Sequence, residues 1–405
     1  MPSTDRFERL GVYWAALVVL VAALIGGGTV SYLASDRIIQ TIALPLGIYA
    51  IVRAGRINVQ LYHLVWVSAS VILVLWNLSF ALPIDIPIGS SAPHYAFSYA
   101  AFFAAVLCMH AFALTLSPWA TRRLLMFFIV ALTINATMAA VQFSFSSKAA
   151  LDWAYKAHAG FFANPNHLAA FVYTTLPALA WLILYRLRLP SLFLGISLVL
   201  GIVLFATSSL AGIGILSVLV VICALVFSRD RFGNASLKIG VVSAVGAAIV
   251  IVTVLLLRGQ ETQVDNFRPQ FWANTLRAIL DYLPFGSGLG SFHLIYPRYE
   301  TIDQDLSGVA NYAHNDWLEL TLETGLIGPI LLLTLLARAM RASRLTPLHT
   351  AMTISLFALA VHSLVDYPVR TMMIALFGAF ASAVVWRDEN VETKPKPTGA
   401  KEVLA

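Results

Sequence analysis

Asn311-Tyr312-Ala313-His314-Asn315-Asp316-Trp317-Leu318-Glu319-Leu320-Thr321-Leu322-Glu323-Thr324-Gly325-Leu326-Ile327-Gly328 marks the place where a long polar stretch runs back into apolar sequence. Its reading as a helix entering a membrane decides the fold. Asp316 followed by Glu319 has the spacing of a capping box, with Asp316 as N-cap and Glu319 reaching back to its amide. His314 then lies just outside a helix N-terminus. The positive end of the helix dipole disfavours an imidazolium there, so this histidine is expected to be neutral at pH 7 and able to accept a proton. Asp316, Glu319 and Glu323 share one face by their i, i+3 and i+4 spacing. A polar stripe entering a membrane needs polar company or water. The plainer alternative is a histidine in a surface loop.

Composition agrees with a membrane setting. Of 405 residues 59% are hydrophobic and 11% charged, and the mean hydropathy is +0.81. A soluble domain is nearer about 45–50% apolar and about 25% charged. The expected fold class is therefore an all-α polytopic membrane protein. Twelve apolar runs fall near 11–30, 38–52, 61–82, 95–117, 124–146, 167–185, 192–208, 211–227, 239–257, 317–337, 349–365 and 371–386, with boundaries good to a few residues. Most of the 26 Lys and Arg gather at one set of loops, among them Arg6, Arg53, Arg122, Arg186, Arg229 and Arg341. Basic loops stay in the cytoplasm, so both termini are placed inside and the net charge of +6 needs no nucleic acid to explain it. Residues 1–386 read as one integral domain, 258–313 as a large outer loop and 387–405 as a disordered cytoplasmic tail. Cys108 and Cys223 both lie in apolar runs and suggest neither a disulfide framework nor a metal site.

Outside the membrane, two segments are long enough to carry chemistry. The first includes Gly160-Phe161-Phe162-Ala163-Asn164-Pro165-Asn166-His167. Asn164-Pro165 marks a turn, and Asn166 is placed to cap the sixth span. Both Asn side chains also suit sugar hydroxyls or a phosphate. The second segment holds an amphipathic helix opened by Arg268-Pro269. Phe271, Trp272, Leu276, Ile279, Leu280 and Leu283 give it an apolar side; Gln270, Asn274, Arg277 and Asp281 give it a wet one. Arg268 and Arg277 point to roughly opposite sides, and Arg268 at the helix start is the better anion binder. After Pro284-Phe285, the glycines of Gly286-Ser287-Gly288-Leu289-Gly290 permit positive φ and a tight turn. A last outer turn holds His362, Asp366, Tyr367 and Arg370. Here His362 and Asp366 can pair at i and i+4, Asp366 can orient a histidine, and Arg370 can meet a phosphate, or the turn can simply anchor the interface.

Together these motifs resemble the bacterial O-antigen ligase and O-antigen polymerase family, over roughly residues 158–370. The family's outer loop ends in a His-Asn pair, followed by Leu-Glu and Glu-x-Gly-x-x-Gly as a span begins; here these are His314-Asn315, Leu318-Glu319 and Glu323-Thr324-Gly325-Leu326-Ile327-Gly328. Earlier in the chain, Gly160, Phe162, Asn164 and Asn166 match a Gly-x-Phe and two Asn before a span. The order Arg268, Trp272, Pro284, Gly286, Gly288, Gly290, Phe292 also follows the family loop.

The resemblance implies a glycosyltransferase of the GT-C type, which takes a glycan from undecaprenyl diphosphate and passes it to an acceptor hydroxyl. The acceptor is lipid A-core sugar in ligases and another lipid-linked repeat unit in polymerases. On the residues' own terms, a diphosphate leaving group needs cations rather than an acid, and a sugar hydroxyl needs a neutral base. His314 is the candidate base. Arg268, Asn315, Asn164, Asn166, Glu323, Arg298 and Arg370 are the candidate substrate contacts. No cofactor and no metal is expected; the partners are the lipid-linked donor, the acceptor and the bilayer. One departure bears on the reaction. Where many ligases carry a Ser-Arg-Gly-like motif, this chain has Thr207-Ser208-Ser209-Leu210-Ala211-Gly212 without an Arg. Arg258, Arg298 or Arg370 would have to substitute, or donor and acceptor handling differ, so repeat-unit polymerisation stays open beside ligation. A twelve-span secondary transporter is the reading from another class, but transporters concentrate ionisable groups at mid-membrane.

Overall fold

The computed structural model describes residues 6–27, 32–56, 61–80, 92–144, 159–207, 209–258, 267–300, 310 and 312–387. Among these residues every regular element is a helix and there is no strand. The expected disordered tail lies outside the described residues apart from Arg387.

In chain order the main helices are α1 (Arg6–Ile25), α2 (Tyr32–Val52), α3 (Leu61–Phe80), α4 (Ala92–Leu114), α5 (Pro118–Ser144) and α6 (Pro165–Ala180). They continue with α7 (Pro190–Ala206), α8 (Leu210–Phe232), α9 (Ala235–Arg258) and α10 (Arg268–Tyr282). After the short α11 (Phe292–Ile295) come α12 (Asp316–Thr324), α13 (Ile327–Ala342), α14 (Pro347–His362) and α15 (Met372–Trp386). Among the described residues each of the twelve apolar runs is largely helical. Among the described residues five helical segments are long and apolar enough to cross a membrane: Arg6–Ile25, Phe97–Leu114, Pro118–Ser144, Pro165–Leu187 and Ala211–Arg229. Five shorter apolar helices accompany them. Large apolar side chains stand exposed along α2, α3, α7 and α9, for example Ile48, Ile51, Leu61, Val65, Ile202 and Ile249. A water-soluble chain rarely exposes this much contiguous apolar surface, whereas a membrane protein turns it to lipid.

The centre of the bundle is α6 with α15. From His167 to Ala180 every residue of α6 is buried, and from Met372 to Trp386 all of α15 except Gly378. A helix that is apolar all round belongs inside, and these two are packed by α14 and flanked by α1, α4, α5 and α8. Polar residues within the spans then hold the outer turns. Asn135 of α5 donates to Ala23 O at 3.0 Å and accepts from Phe161 N at 3.0 Å. Gln142 exchanges both its amide groups with the backbone of Gly160. Gly160 needs its φ of +64°, because a Cβ there would meet Asn135 O at 2.6 Å. The turn that carries Asn164 and Asn166 is thereby fixed to α5.

The tenth run is not one helix. Gly325, at φ +62°, ends α12 and α13 starts two residues later. A Cβ on Gly325 would lie 2.0 Å from Pro284 O, and one on Gly286 would lie 2.4 Å from Gly325 N. The two glycine motifs are therefore one device. The strap from Pro284 to Gly290 lies against the C-terminal turn of α12, with Ser287 N donating to Leu322 O at 2.8 Å, Gly288 N to Glu323 O at 3.0 Å and Leu326 N to Pro284 O at 3.1 Å.

The amphipathic helix forms as expected, except that Asn274, read as part of its wet side, is buried. Asn274, Thr275, Ala278 and Ile279 are buried, while Leu276 and Leu280 are exposed. Asn274 reaches Tyr296 OH at 3.3 Å, and the Thr275 hydroxyl donates to Phe271 O at 2.6 Å, so the polar groups are satisfied inward against α11 and its neighbours. The leucines face outward, as suits a helix lying against lipid.

Candidate functional site

Three segments converge: the start of α6, the start of α10 and the turn between α14 and α15. The residues just before α12 dock onto all of them. The N-cap of α12 is Asn315, not Asp316 as the capping-box spacing suggested; its side chain accepts from Leu318 N at 3.1 Å. Glu319 reaches past the cap to Ala313 N at 2.9 Å. Asp316, released from capping, grips the outer turn. Its Oδ2 accepts from Ser363 Oγ at 2.9 Å and Val369 N at 3.1 Å, and its amide donates to Ser363 O at 2.8 Å. Asn315 Nδ2 also donates to Leu364 O at 2.7 Å. Expected as a substrate contact, Asn315 thus has both ends of its amide engaged in holding the chain.

This docking sets His314 against Asp366. His314 Nδ1 lies 3.3 Å from Asp366 Oδ1. His314 has φ +51°, a conformation few non-glycine residues adopt and one concentrated at functional sites. Its ring stacks on Phe271 at 5.8 Å and meets Tyr367 edge-on at 4.8 Å, while Trp272 Nε1 donates to its carbonyl at 3.3 Å. Held this way, Nδ1 faces the carboxylate. About 28% of the His314 side chain remains exposed. The sequence offered the helix dipole as the main influence on this ring; in the structure the nearest charged group is the Asp366 carboxylate, 3.3 Å from Nδ1.

Asp366 is the hub. Its side chain is fully buried, yet burial, which alone would raise its pKa, is outweighed. The hydrogen bond with His314 and the positive potential of His167, His362 and His314 hold its carboxyl well below the usual carboxylate range. Oδ1 also accepts from Tyr367 N at 3.0 Å; Oδ2 accepts from Asn166 Nδ2 at 2.5 Å and faces the Arg268 guanidinium at 3.6 Å. Asp366 orients His314, which is 52 residues away, and its side chain does not pair with His362, four residues away. His362 turns to Tyr173 OH instead. The cap at the start of α6 is Asn164, accepting from Asn166 N at 2.8 Å with Pro165 following; this frees Asn166, expected as the cap, for Asp366. Asn164 also hydrogen-bonds the Tyr367 hydroxyl.

A second cluster adjoins the first. Arg370 lies 3.0 Å from Glu323 Oε2, 3.3 Å from Glu319 Oε1 and 3.6 Å from Asp316 Oδ1, and its guanidinium is 4.9 Å from the Tyr99 ring. Burial disfavours its charge, but Glu319 and Glu323 more than restore it, so its pKa stands well above the ordinary arginine value. Arg370 and Glu323, both expected to meet substrate, therefore pair with each other. The one polar stripe of α12 finds its company in this arginine. Arg298 is exposed on the 3-10 turn Tyr296–Tyr299 and takes no part in either cluster. The Arg258 side chain lies outside the described residues. The structure thus gathers His314, Arg268 and Asn166 around Asp366, and assigns Asn164, Asn315, Glu323 and Arg370 to holding that group in place. Among the described residues no group of three or more His, Cys, Asp or Glu is placed to hold a metal ion.

The family model described as O-antigen ligase matches residues 194–333. That segment contains Arg268, His314 and Glu323, but neither Asn166 nor Asp366. No curated protein matches the chain.

Proposed function

We propose, from the match of residues 194–333 to the O-antigen ligase family model, that this protein is an O-antigen ligase-like glycosyltransferase. It moves a glycan from undecaprenyl diphosphate to an acceptor hydroxyl, on lipid A-core or a similar sugar. The chain crosses the bacterial inner membrane twelve times with both termini in the cytoplasm, and the His314 site faces the periplasm. The observation that carries this reading is the shared carboxylate: His314 and Arg268 approach different oxygens of Asp366, at 3.3 and 3.6 Å, and both side chains are part-exposed.

Chemically, the two groups suit the two ends of one displacement. Asp366 holds the His314 tautomer with its proton on Nδ1, which leaves the Nε2 lone pair as the base. The acceptor hydroxyl gives its proton to Nε2 as its oxygen bonds the anomeric carbon. The bond from that carbon to the diphosphate oxygen breaks, and the electron pair leaves with the diphosphate. The imidazolium that forms is stabilised by Asp366, and the guanidinium of Arg268 offsets charge on the leaving phosphate. A single displacement inverts the anomeric centre. Neither nucleotide nor metal enters these steps.

Repeat-unit polymerisation uses the same chemistry with a lipid-linked acceptor. It is favoured by the absence of an Arg in the Thr207–Gly212 stretch and by Arg370 being engaged with three carboxylates. The lipopolysaccharide and exopolysaccharide of a deletion strain separate the two. Full-length polymer stranded on its carrier is the expected result for a ligase; single repeat units on the carrier would assign polymerisation instead. An unchanged profile of both would overturn the proposal.

A further inference from the structure

The same helices that carry the His314 site carry a basic pocket at their other ends. From Asn166 to Arg186 the chain runs along α6 and its extension for roughly 30 Å, about the thickness of a bilayer core. There Arg122, Arg186, Trp181, Tyr185, Thr346 and Pro347, with Pro118 and Leu348, line a cavity of about 140 Å³. It lies between the starts of α5 and α14 and the end of α6. Arg122 and Arg186 are exposed and make no hydrogen bond or ion pair among the described residues. The nearby acid Glu8 is buried and already accepts Ser117 N at 2.8 Å. The helix starts are capped too: Ser117 Oγ accepts from Ala120 N and Thr346 Oγ1 from His349 N, both at 3.3 Å. What remains to attract a ligand is the pair of guanidiniums.

The backbone is shaped to make this pair. After Pro177, α6 leaves the α-helical pattern and Trp181–Leu187 forms a π-helix, closed by Arg188 at φ +59°. Such segments are rare and mark functional sites. In an α-helix Arg186 would sit about 140° around the axis from Trp181. A π-helix closes its bonds at i+5, which brings Arg186 as well as Tyr185 over the Trp181 face. The wider turn thus gives one wall two aromatic rings and a cation, with Arg122 opposite. Trp and Tyr beside Arg are the side chains of a membrane interface, with apolar bodies in lipid and polar tips in the headgroup layer.

From this geometry we infer that the pocket binds the phosphate of an anionic headgroup, on the membrane face opposite His314. Arg122 and Arg186 contact the phosphate oxygens, Trp181 and Tyr185 lie against the glycerol and upper chain, and Pro118, Pro347 and Leu348 supply the apolar floor. Two sources offer this chemistry, a phospholipid diester in the leaflet and free phosphate.

Native mass spectrometry of the full chain separates them. The detergent-solubilised protein is given equal amounts of phosphatidylglycerol and phosphatidylcholine, and in a second arm inorganic phosphate. Preferential retention of phosphatidylglycerol is expected. The doubly substituted Arg122→Gln, Arg186→Gln protein should lose it by roughly thirtyfold and each single variant by roughly fivefold, the worth of one basic residue near an anionic surface. Arg341→Gln with Arg344→Gln, the same charge change outside the pocket, should leave retention unchanged. Phosphate binding that needs Arg122 and Arg186, without the lipid preference, would make free phosphate the ligand. Equal loss in the Arg341, Arg344 control, or no dependence on Arg122 and Arg186 in either arm, would overturn the inference. The single variants keep the test available if the double variant fails to fold.

Discussion

Asp366 and Arg370 stand four residues apart in the turn between α14 and α15, at the centres of two ionic clusters of opposite construction. Around Asp366 one carboxylate gathers two part-exposed basic side chains and an amide. Around Arg370 one guanidinium gathers three carboxylates, and nothing in that cluster is more than 12% exposed. Residue types alone do not distinguish them: both mix acids and bases near a membrane boundary. Access does. A buried ion that has lost water must be fully surrounded by compensating groups, and Arg370 is. His314 and Arg268 keep surface free beyond their shared carboxylate, so they can still meet a substrate. The proposed function uses the open cluster, while the closed one ties the turn to α12.

Substitution at the two centres should separate activity from folding. His314→Ala is expected to lower glycan transfer by about 10²–10⁴-fold, the usual worth of a general base, in protein that purifies and melts like the wild type. Normal transfer by the purified variant would remove His314 as the base. Arg370→Ala should do the reverse and cost about 3–5 kcal/mol of stability, because three buried carboxylates lose their counter-ion. It would be read as a large drop in melting temperature and in membrane-inserted yield. A folded Arg370→Ala protein with a specific loss of donor use would instead place Arg370 with the substrate and erase the distinction between the clusters.

A smaller effect tests the open cluster from its other side. Arg268→Ala should weaken donor use by about 10–100-fold, in the range of a lost charge-assisted contact to phosphate. Arg277→Ala, on the exposed side of the same helix, should change it little. Steady-state transfer with varied donor concentration measures both. Equal losses would mean that the helix face does not decide which arginine meets the diphosphate.

How far the sequence carried this picture depended on the range of each interaction. Among the described residues the apolar runs are largely helical, and Gly286, Gly288 and Gly290 do adopt positive φ, because both are properties of short stretches. Arg268 does open α10. The local motifs were right in kind and off by a residue or two in place. Asn315 and Asp316 are both competent caps, and only the outer turn, reached 47 residues later through Ser363, draws Asp316 away from the cap. Asn164 and Asn166 exchanged roles for the same reason, since Asp366 lies 200 residues from Asn166. Asn274, read as part of the wet side of α10, is buried instead, because the tertiary fold brings the Tyr296 hydroxyl to it from 22 residues away. Least legible was the hub. Asp366 offered an obvious partner at i−4, and no periodicity points from it to His314.

The finest test of the comparison is the pH range over which Asp366 keeps its charge. Its folded-state pKa is depressed, with the His314 hydrogen bond and neighbouring histidines outweighing burial. An unfolded aspartate titrates near about 3.9. A depressed carboxylate binds fewer protons folded than unfolded, so its contribution to stability is complete above about pH 4 and disappears only as the pH falls further, through the folded-state value. The melting-temperature difference between wild type and Asp366→Asn should therefore be flat from about pH 5 to 8 and shrink only below about pH 4. In the same flat window any acid loss of transfer activity belongs to a group other than Asp366. A difference that shrinks between pH 5 and 7 would mean that Asp366 titrates there. The open cluster would then be carrying a buried carboxyl that its partners fail to keep ionised. In that case Asp366 could no longer hold His314 in the tautomer a base requires, and the contrast with the sealed Arg370 cluster would lose its chemical meaning.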